Sequence, residues 1–472
     1  MEIIHVSAEC YPVAKAGGLG DVVGALPKYQ TAAGHVSKVV LPMYRTKFLY
    51  EHQWDVVHKS SAYLANTWFD YTIIKERTNV LGFDLYLVDI HGLLDREKVY
   101  GYDDDVERFM SFQIAVVDWI ASWKHHPDII HVHDHHTALI PFMVKYCYQY
   151  QHLAGVPTVL TIHNAQYQGW IDWGHSDYIP HWDGWRWGML DWNNMINPLA
   201  AGIRSCWKLT TVSWSYLQEM RLESNGLEAL FEYEKGKSVG ILNGIDDKVW
   251  DPAADKYLDH HFNIDSLATG KKANKDFLCQ EFGLDPNKPL FIFIGRLVGE
   301  KAAELLPRAI GDSLFYINQR MNWLVLGSGE THIEWDLGNM RHFWPGVYNA
   351  KIGYNEKLSH QMYAGADFLL MPSRVEPCGL NQMYAMRYGT IPVVRRTGGL
   401  RDTVKDFGEP GGYGICFNQA SIGDITQAVY RGVELYQDQR TFDALRRQVM
   451  ELNFSWDISA EQYLDLYKSL VP

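Results

Sequence analysis

Ile3-Ile4-His5-Val6, followed a few residues later by Lys15-Ala16-Gly17-Gly18-Leu19-Gly20-Asp21, decides the fold class. The apolar run begins immediately after Met1 and reads as a buried strand. The glycines let backbone N–H groups approach an anion where a helix opens, and Lys15 adds a positive charge. A helix over Asp21–Ala33, stopped by Gly34, completes a strand–loop–helix unit. A plain strand–helix turn explains the same residues without a ligand.

The unit recurs. Val36–Leu41, Phe83–Val88, Ile129–Val132, Val156–Ile162 and Leu209–Val212 read as strands separated by helical patterns, which means a parallel sheet covered by helices. From about Gly244 to Pro289 the chain turns polar and irregular and reads as a domain boundary. Strands then resume at Leu290–Ile294, Trp323–Leu326, Phe368–Met371 and Ile391–Val394, with helices at Lys301–Ile310, Gly379–Tyr388 and Ile422–Tyr436. Ser455–Leu470 places Trp456, Ala460, Tyr463, Leu464 and Tyr467 on one helical face. The expectation is an α/β chain of two doubly wound domains. Ligands would sit outside the carboxyl ends of the strands, with the cleft between the domains as the default site.

Composition narrows the function. The chain has 472 residues, enough for two or three domains, and 47% are hydrophobic, enough for real cores. Lys and Arg number 43 against 56 Asp and Glu, a net charge of −13, which argues against a general nucleic-acid binder. The six cysteines are scattered with no CxxC pair, so neither a disulfide framework nor a cysteine zinc site is suggested and a reducing cytoplasm fits. No apolar run reaches about 18 residues and no signal peptide is visible, so neither a membrane span nor export is expected.

The polar clusters nearly all follow a strand. The glycine loop lacks the dinucleotide fingerprint: Val23 stands where GxGxxG needs glycine, and no acidic residue lies between Val22 and Tyr50. His131-Val132-His133-Asp134-His135-His136 resembles a metal cluster, with His131 and His133 on one face of a strand, but further ligands at suitable spacing are missing. A strand-end Asp134 with histidines packed around it is the simpler reading. Asp103-Asp104-Asp105 reads as a helix cap rather than a metal-binding DxD. Arg296 with Lys301, after the first strand of the second half, suits a diphosphate. Ser373-Arg374-Val375-Glu376-Pro377-Cys378-Gly379-Leu380-Asn381 opens a helix with free N–H groups, and Thr397-Gly398-Gly399-Leu400 is a second glycine turn. Six tryptophans between Trp170 and Trp192 suggest a lid, a sugar-stacking surface or simple packing.

Taken in order, these motifs resemble the bacterial glycogen synthase and plant starch synthase family, retaining glycosyltransferases of family 5 with the two-Rossmann GT-B fold. The resemblance rests on Ser7-Ala8-Glu9 through Val23, His133-Asp134-His135-His136, Thr161-Ile162-His163-Asn164 and Asn243-Gly244-Ile245-Asp246. It continues in Gly295-Arg296-Leu297, Ile352-Gly353-Tyr354, Pro372 through Leu380 and Thr397-Gly398-Gly399-Leu400. It implies an N-terminal domain over 1–245, a nucleotide-sugar domain over 246–454, and a terminal helix over 455–472 that returns to the first domain.

The activity implied is transfer of glucose from ADP-glucose, or UDP-glucose, to the non-reducing end of an α-1,4-glucan. No cofactor, metal, nucleic-acid or membrane partner is implied. By position, Lys15, Asp134, His163, Arg296, Lys301 and Glu376 would be catalytic. Gly17, Gly18, Asp21, Asn243, Tyr354, Cys378, Gly379, Leu380 and Asn381 would bind substrate. The chain departs from the family where Gln-Lys-Gly is common and Glu300-Lys301-Ala302 stands here, and at Asn381, where Thr is frequent. Those changes keep a second reading open, a catalytically weak glucan-binding or priming scaffold on the same fold.

Overall fold

In the computed structural model, which describes residues 1–471, the chain divides into two compact units. One comprises Met1–Leu242 and the segment from Trp456; the other comprises Asn243–Ser455.

The first unit holds a nine-stranded sheet. Its strands are β1 (Glu2–Val6), β2 (Val36–Pro42), β3 (Trp54–Leu64), β4 (Thr67–Glu76), β5 (Asp84–Asp89), β6 (Ile129–His133) and β7 (Thr158–Ile162), with β10 and β11 given below. A separate two-stranded ribbon joins β8 (Asp191–Trp192) to β9 (Met195–Ile196), and β10 (Lys208–Thr211) and β11 (Ser238–Gly240) return to the main sheet. The order is β11-β10-β7-β6-β1-β2-β5-β4-β3. All pairs are parallel except β5–β4 and β4–β3, so an antiparallel hairpin extends one edge of the sheet. The sequence reading missed it because its half-exposed strands lack the continuous apolar runs of the buried ones.

The second unit carries β12 (Leu290–Leu297), β13 (Asn322–Gly329), β14 (Tyr348–Ile352), β15 (Phe368–Met371), β16 (Ile391–Arg395) and β17 (Ile415–Phe417). They form one all-parallel sheet in the order β14-β13-β12-β15-β16-β17. In each sheet the order reverses beside the first strand, between β1 and β6 in one and between β12 and β15 in the other. Loops leaving such a pair of strands diverge, which opens a crevice at their carboxyl ends.

The terminal helix, Trp456–Lys468, belongs to the first unit, where Trp456, Ala460, Tyr463, Leu464 and Tyr467 pack against Val22 and Leu26 of the helix Gly18–Ala32. Burying each of its large side chains contributes about 2 kcal/mol. The irregular stretch after Gly244 is not a free linker. Asp255 is buried in the second unit, bonded to His360 (2.6 Å) and Tyr388 (2.5 Å), and Trp250 stacks on His360 and Tyr384.

The expected helix over Lys301–Ile310 is instead two short 3-10 turns, Gly299–Lys301 and Ala303–Leu305, followed by an α-helix over Leu306–Tyr316. Ala302 between the turns has φ +52°, which no right-handed helix admits. The helix read from Gly379 begins at Asn381, because Gly379 has φ +73°. The helix after the triple aspartate begins at Asp105 without a side-chain cap. Asp104 pairs with Arg96 and Asp105 with Arg108 instead.

Candidate active site

In the first unit, the loop after β1 is built around Glu9. Its Oε2 accepts the amides of Ala16 (2.6 Å) and Gly17 (2.8 Å), and its Oε1 accepts the Tyr100 hydroxyl (2.7 Å). The Gly17 N–H, expected to bind substrate, is therefore committed to the protein, and the anion in this loop is Glu9 itself. Gly18 stays open: a Cβ built there meets nothing within 4 Å. Lys15 Nζ pairs with Asp21 Oδ1 at 2.7 Å on a half-exposed surface. A ligand phosphate would have to compete with Asp21 for it.

Asp134 follows β6 in a left-handed conformation, φ +55°, which is uncommon outside glycine and is characteristic of constrained sites. Its Oδ1 accepts the backbone N–H of His163 at 2.7 Å, tying the end of β6 to the end of β7. Burial pushes its pKa up to about 7, against the pull of the His163 and Asn164 amides. His163 is buried and held neutral, its pKa lowered to about 3 by desolvation.

The histidines on β6 share one face with His5 of β1. His5, His131 and His133 offer nitrogens within 4.8 Å of one another, the arrangement a metal reading requires. Each nitrogen is already engaged. His5 bonds His133 and Gln30, His133 also bonds His163, and His131 bonds Tyr467 and Thr161. These rings form a hydrogen-bonded core, as buried polar groups must. The His135 and His136 rings lie against each other at a tilt of 36°, and His136 stacks on Tyr100. Of the tryptophan cluster, Trp173 and Trp192 anchor their indole N–H groups on Asp191 and the Gly226 carbonyl, while Trp185 and Trp187 are exposed.

In the second unit, the loops after β12 and β15 are joined. Lys301 Nζ lies 2.6 Å from Glu376 Oε2, which also accepts the Ser373 hydroxyl at 2.8 Å. The Glu300 carbonyl accepts the Arg374 amide at 2.8 Å, and Arg374 Nη1 donates to the Gly299 carbonyl at 2.8 Å. Arg296 is more exposed and lies 3.3 Å from Glu300 Oε2.

Asn243 is buried and receives no partner on Oδ1 among the described residues, an expensive state that a ligand donor would relieve. The backbone N–H of Asn243 meets the Cys378 sulfur, and burial raises that thiol to about 12, so Cys378 remains protonated. Asn381 Nδ2 donates to the Ile294 carbonyl at 2.7 Å, which fixes the side chain against the end of β12. Leu380 caps the helix that Asn381 opens, and Tyr354 is exposed beyond the end of β14. Gly398 and Gly399 serve close packing: a Cβ at either would overlap the Glu376 or Cys378 carbonyl oxygen.

Residues 2–233 match the family model for the starch synthase catalytic domain, and residues 274–444 match the model for glycosyl transferases group 1. A glycogen synthase of Flavobacterium johnsoniae is 52% identical over 471 residues, covering 100% of this chain and 99% of that protein. The chain belongs to the glycogen synthase family. A glycogen synthase of Streptococcus pneumoniae is 38% identical with both chains fully covered. The catalytic domain of starch synthase IV from Arabidopsis thaliana, solved bound to ADP and acarbose, superposes with a TM-score of 0.89 at 31% identity, covering 100% of this chain and 99% of that one. A sucrose-phosphate synthase from Thermosynechococcus elongatus shares the fold, with a TM-score of 0.62 at 16% identity over 100% of this chain and 99% of that one.

As a glycogen synthase family member, the chain is a GT-B glycosyltransferase that works in glucan synthesis. Among the described residues no helix is long and apolar enough to cross a membrane. Two residues of this site escaped the sequence reading. Glu9 lay inside a recognised motif but had no visible partner, and Ser373 is an ordinary residue whose contact with Glu376 depends on the loop's path.

Proposed function

We propose that the protein transfers glucose from ADP-glucose to the non-reducing end of an α-1,4-glucan with retention of configuration. The observation that carries this is the Lys301–Glu376–Ser373 cluster, with Arg296 near it, at the switch point of the second sheet in a chain of this family.

Breaking the bond between the anomeric carbon and the diphosphate oxygen leaves positive charge on the sugar and negative charge on the diphosphate. Arg296 and Lys301 would meet the latter with fixed cations, the kind of preorganised charge that lowers such barriers most. The acceptor hydroxyl would bond the anomeric carbon on the face the diphosphate leaves, and its proton would pass to the departing phosphate. Glu376 is not assigned as a nucleophile. Its Oε2 is held by Lys301 and Ser373, which leaves Oε1 for a sugar hydroxyl, and the paired-carboxylate logic of glycosidases does not apply.

Asp134 and the unpaired Oδ1 of Asn243 would take other glucosyl hydroxyls, with His163 beside the anomeric centre. Gly18 and the Gly379–Asn381 backbone would contact phosphate or ribose, and Tyr354 the base. ADP is favoured because the starch synthase IV structure contains it. Six buried free cysteines suit a reducing cytoplasm.

The test is release of nucleoside diphosphate in the presence of glycogen, from ADP-glucose and from UDP-glucose, with excess chelator. Faster release from ADP-glucose, tied to new amylase-sensitive chains, is expected. Release from neither donor, with donor and glucan still binding, would favour the scaffold reading. A strict need for a divalent metal would contradict the assignment of charge to Arg296 and Lys301.

A further inference from the structure

His163 does not end at the site. Its Nε2 lies 3.1 Å from His133 Nδ1, His133 Nε2 lies 3.1 Å from His5 Nδ1, and His5 Nε2 lies 2.8 Å from Gln30 Oε1. All four side chains are buried, and burial holds all three rings neutral. A neutral imidazole donates from one nitrogen and accepts at the other, so the direction of the first bond dictates every bond after it.

That direction is set at Gln30. Ser37 Oγ lies 2.5 Å from Gln30 Oε1, a separation normal for a hydroxyl donating to oxygen and too short for an amide N–H. The other end of the amide, Nε2, faces the Tyr467 hydroxyl at 3.3 Å. Gln30 therefore presents its oxygen to His5. His5 Nε2 carries the proton, and its Nδ1 accepts from His133 Nε2–H. His133 Nδ1 then accepts from His163 Nε2–H, which leaves His163 Nδ1 bare.

We propose that Gln30, acting through His5 and His133, is the positioning residue that fixes the His163 proton on Nε2 and presents Nδ1 as a hydrogen-bond acceptor to the substrate. The proposal rests on the reading of His163 as a site residue. It explains why a polar chain is kept through a sheet core where apolar side chains would pack at lower cost. It also accounts for a glutamine facing inward from the helix Gly18–Ala32.

The experiment is nitrogen-15 NMR of the histidine-labelled full chain at neutral pH, with the His163 signal identified by its loss in His163→Gln. A protonated Nε2 and bare Nδ1 are expected, and a proton on Nδ1 overturns the proposal whatever the enzyme's activity. Gln30→Met removes the acceptor at nearly constant volume. It should scramble the His163 tautomer and lower kcat about tenfold, the value of one hydrogen bond in the transition state, with donor KM changed less than about twofold. Tyr467→Phe removes a hydroxyl from the same core but leaves Ser37 on Gln30. It should lower the melting temperature and leave kcat, measured well below it, unchanged. An equal loss of kcat in Tyr467→Phe and Gln30→Met, or an unchanged kcat in folded Gln30→Met, overturns the proposal. Full activity in His163→Gln would instead remove the site reading on which it stands.

Discussion

Lys301 Nζ and Glu376 Oε2 lie 2.6 Å apart, joining the loop after β12 to the loop after β15. The carboxylate holds the ammonium in place before any ligand arrives, so the cation costs little reorganisation when a diphosphate meets it. Lys301→Ala should lower kcat by about 10²- to 10³-fold, measured as ADP release. Near-normal turnover would remove Lys301 from the leaving-group site.

Glu300 places a carboxylate 3.3 Å from Arg296, the neighbouring cation. A diphosphate must displace that contact and tolerate the extra negative charge. Glu300→Gln should lower the KM for the donor about two- to tenfold, since an exposed pair of this kind is worth only a few tenths of a kcal/mol and the rest is repulsion of the ligand. A raised KM would show that Glu300 helps to hold the donor instead.

Ala302 carries φ +52° and is fully buried. An L-residue in this region costs about 1 kcal/mol, partly offset by the greater freedom glycine has when unfolded. Ala302→Gly should raise stability by up to about 1 kcal/mol in urea melts. A loss of more than that would mean that the Ala302 methyl packs better than the backbone is strained.

Asp134 has its pKa raised to about 7, so the folded state binds a proton more tightly than the unfolded chain does. Its contribution to stability is present at low pH and is lost as pH rises through about 7. Asp134→Asn keeps an oxygen for the His163 amide and carries no charge. The variant should be more stable than the parent at pH 8 by about 4 kcal/mol, converge with it near pH 4, and turn over at least tenfold more slowly. Equal melting curves at pH 8 would show that the carboxylate bears no burial penalty.

The buried histidines act in the opposite direction. His5, His131, His133, His135, His136 and His163 all have pKa values below the usual 6.5, with His5 and His135 near 4 and His163 near 3. The unfolded chain takes up protons first, so stability is full above about pH 6.5 and is lost as pH falls toward 4. Acid unfolding should be cooperative, with uptake of several protons per molecule, opposed by the one proton of Asp134. Melting temperatures that stay flat between pH 6.5 and 4.5 would contradict this.

The alternation of apolar runs and helical patterns settled two doubly wound domains from sequence, because buried parallel strands leave continuous apolar stretches. The motifs at the strand ends named the family, and the face carrying Trp456, Ala460, Tyr463, Leu464 and Tyr467 showed in its 3.6-residue period. What the residues are bonded to was decided only in three dimensions. Glu9 and Gly17 are close in sequence, yet only the fold of the loop spends that amide on that carboxylate. Ser373 reaches Glu376 through a local turn, whereas Lys301, 75 positions earlier, reaches it because β12 and β15 are neighbours in the sheet. Gln30, Ser37, His5, His133 and His163 come from five separate elements. Hydrogen-bond direction between them depends on ångström distances that no local pattern encodes.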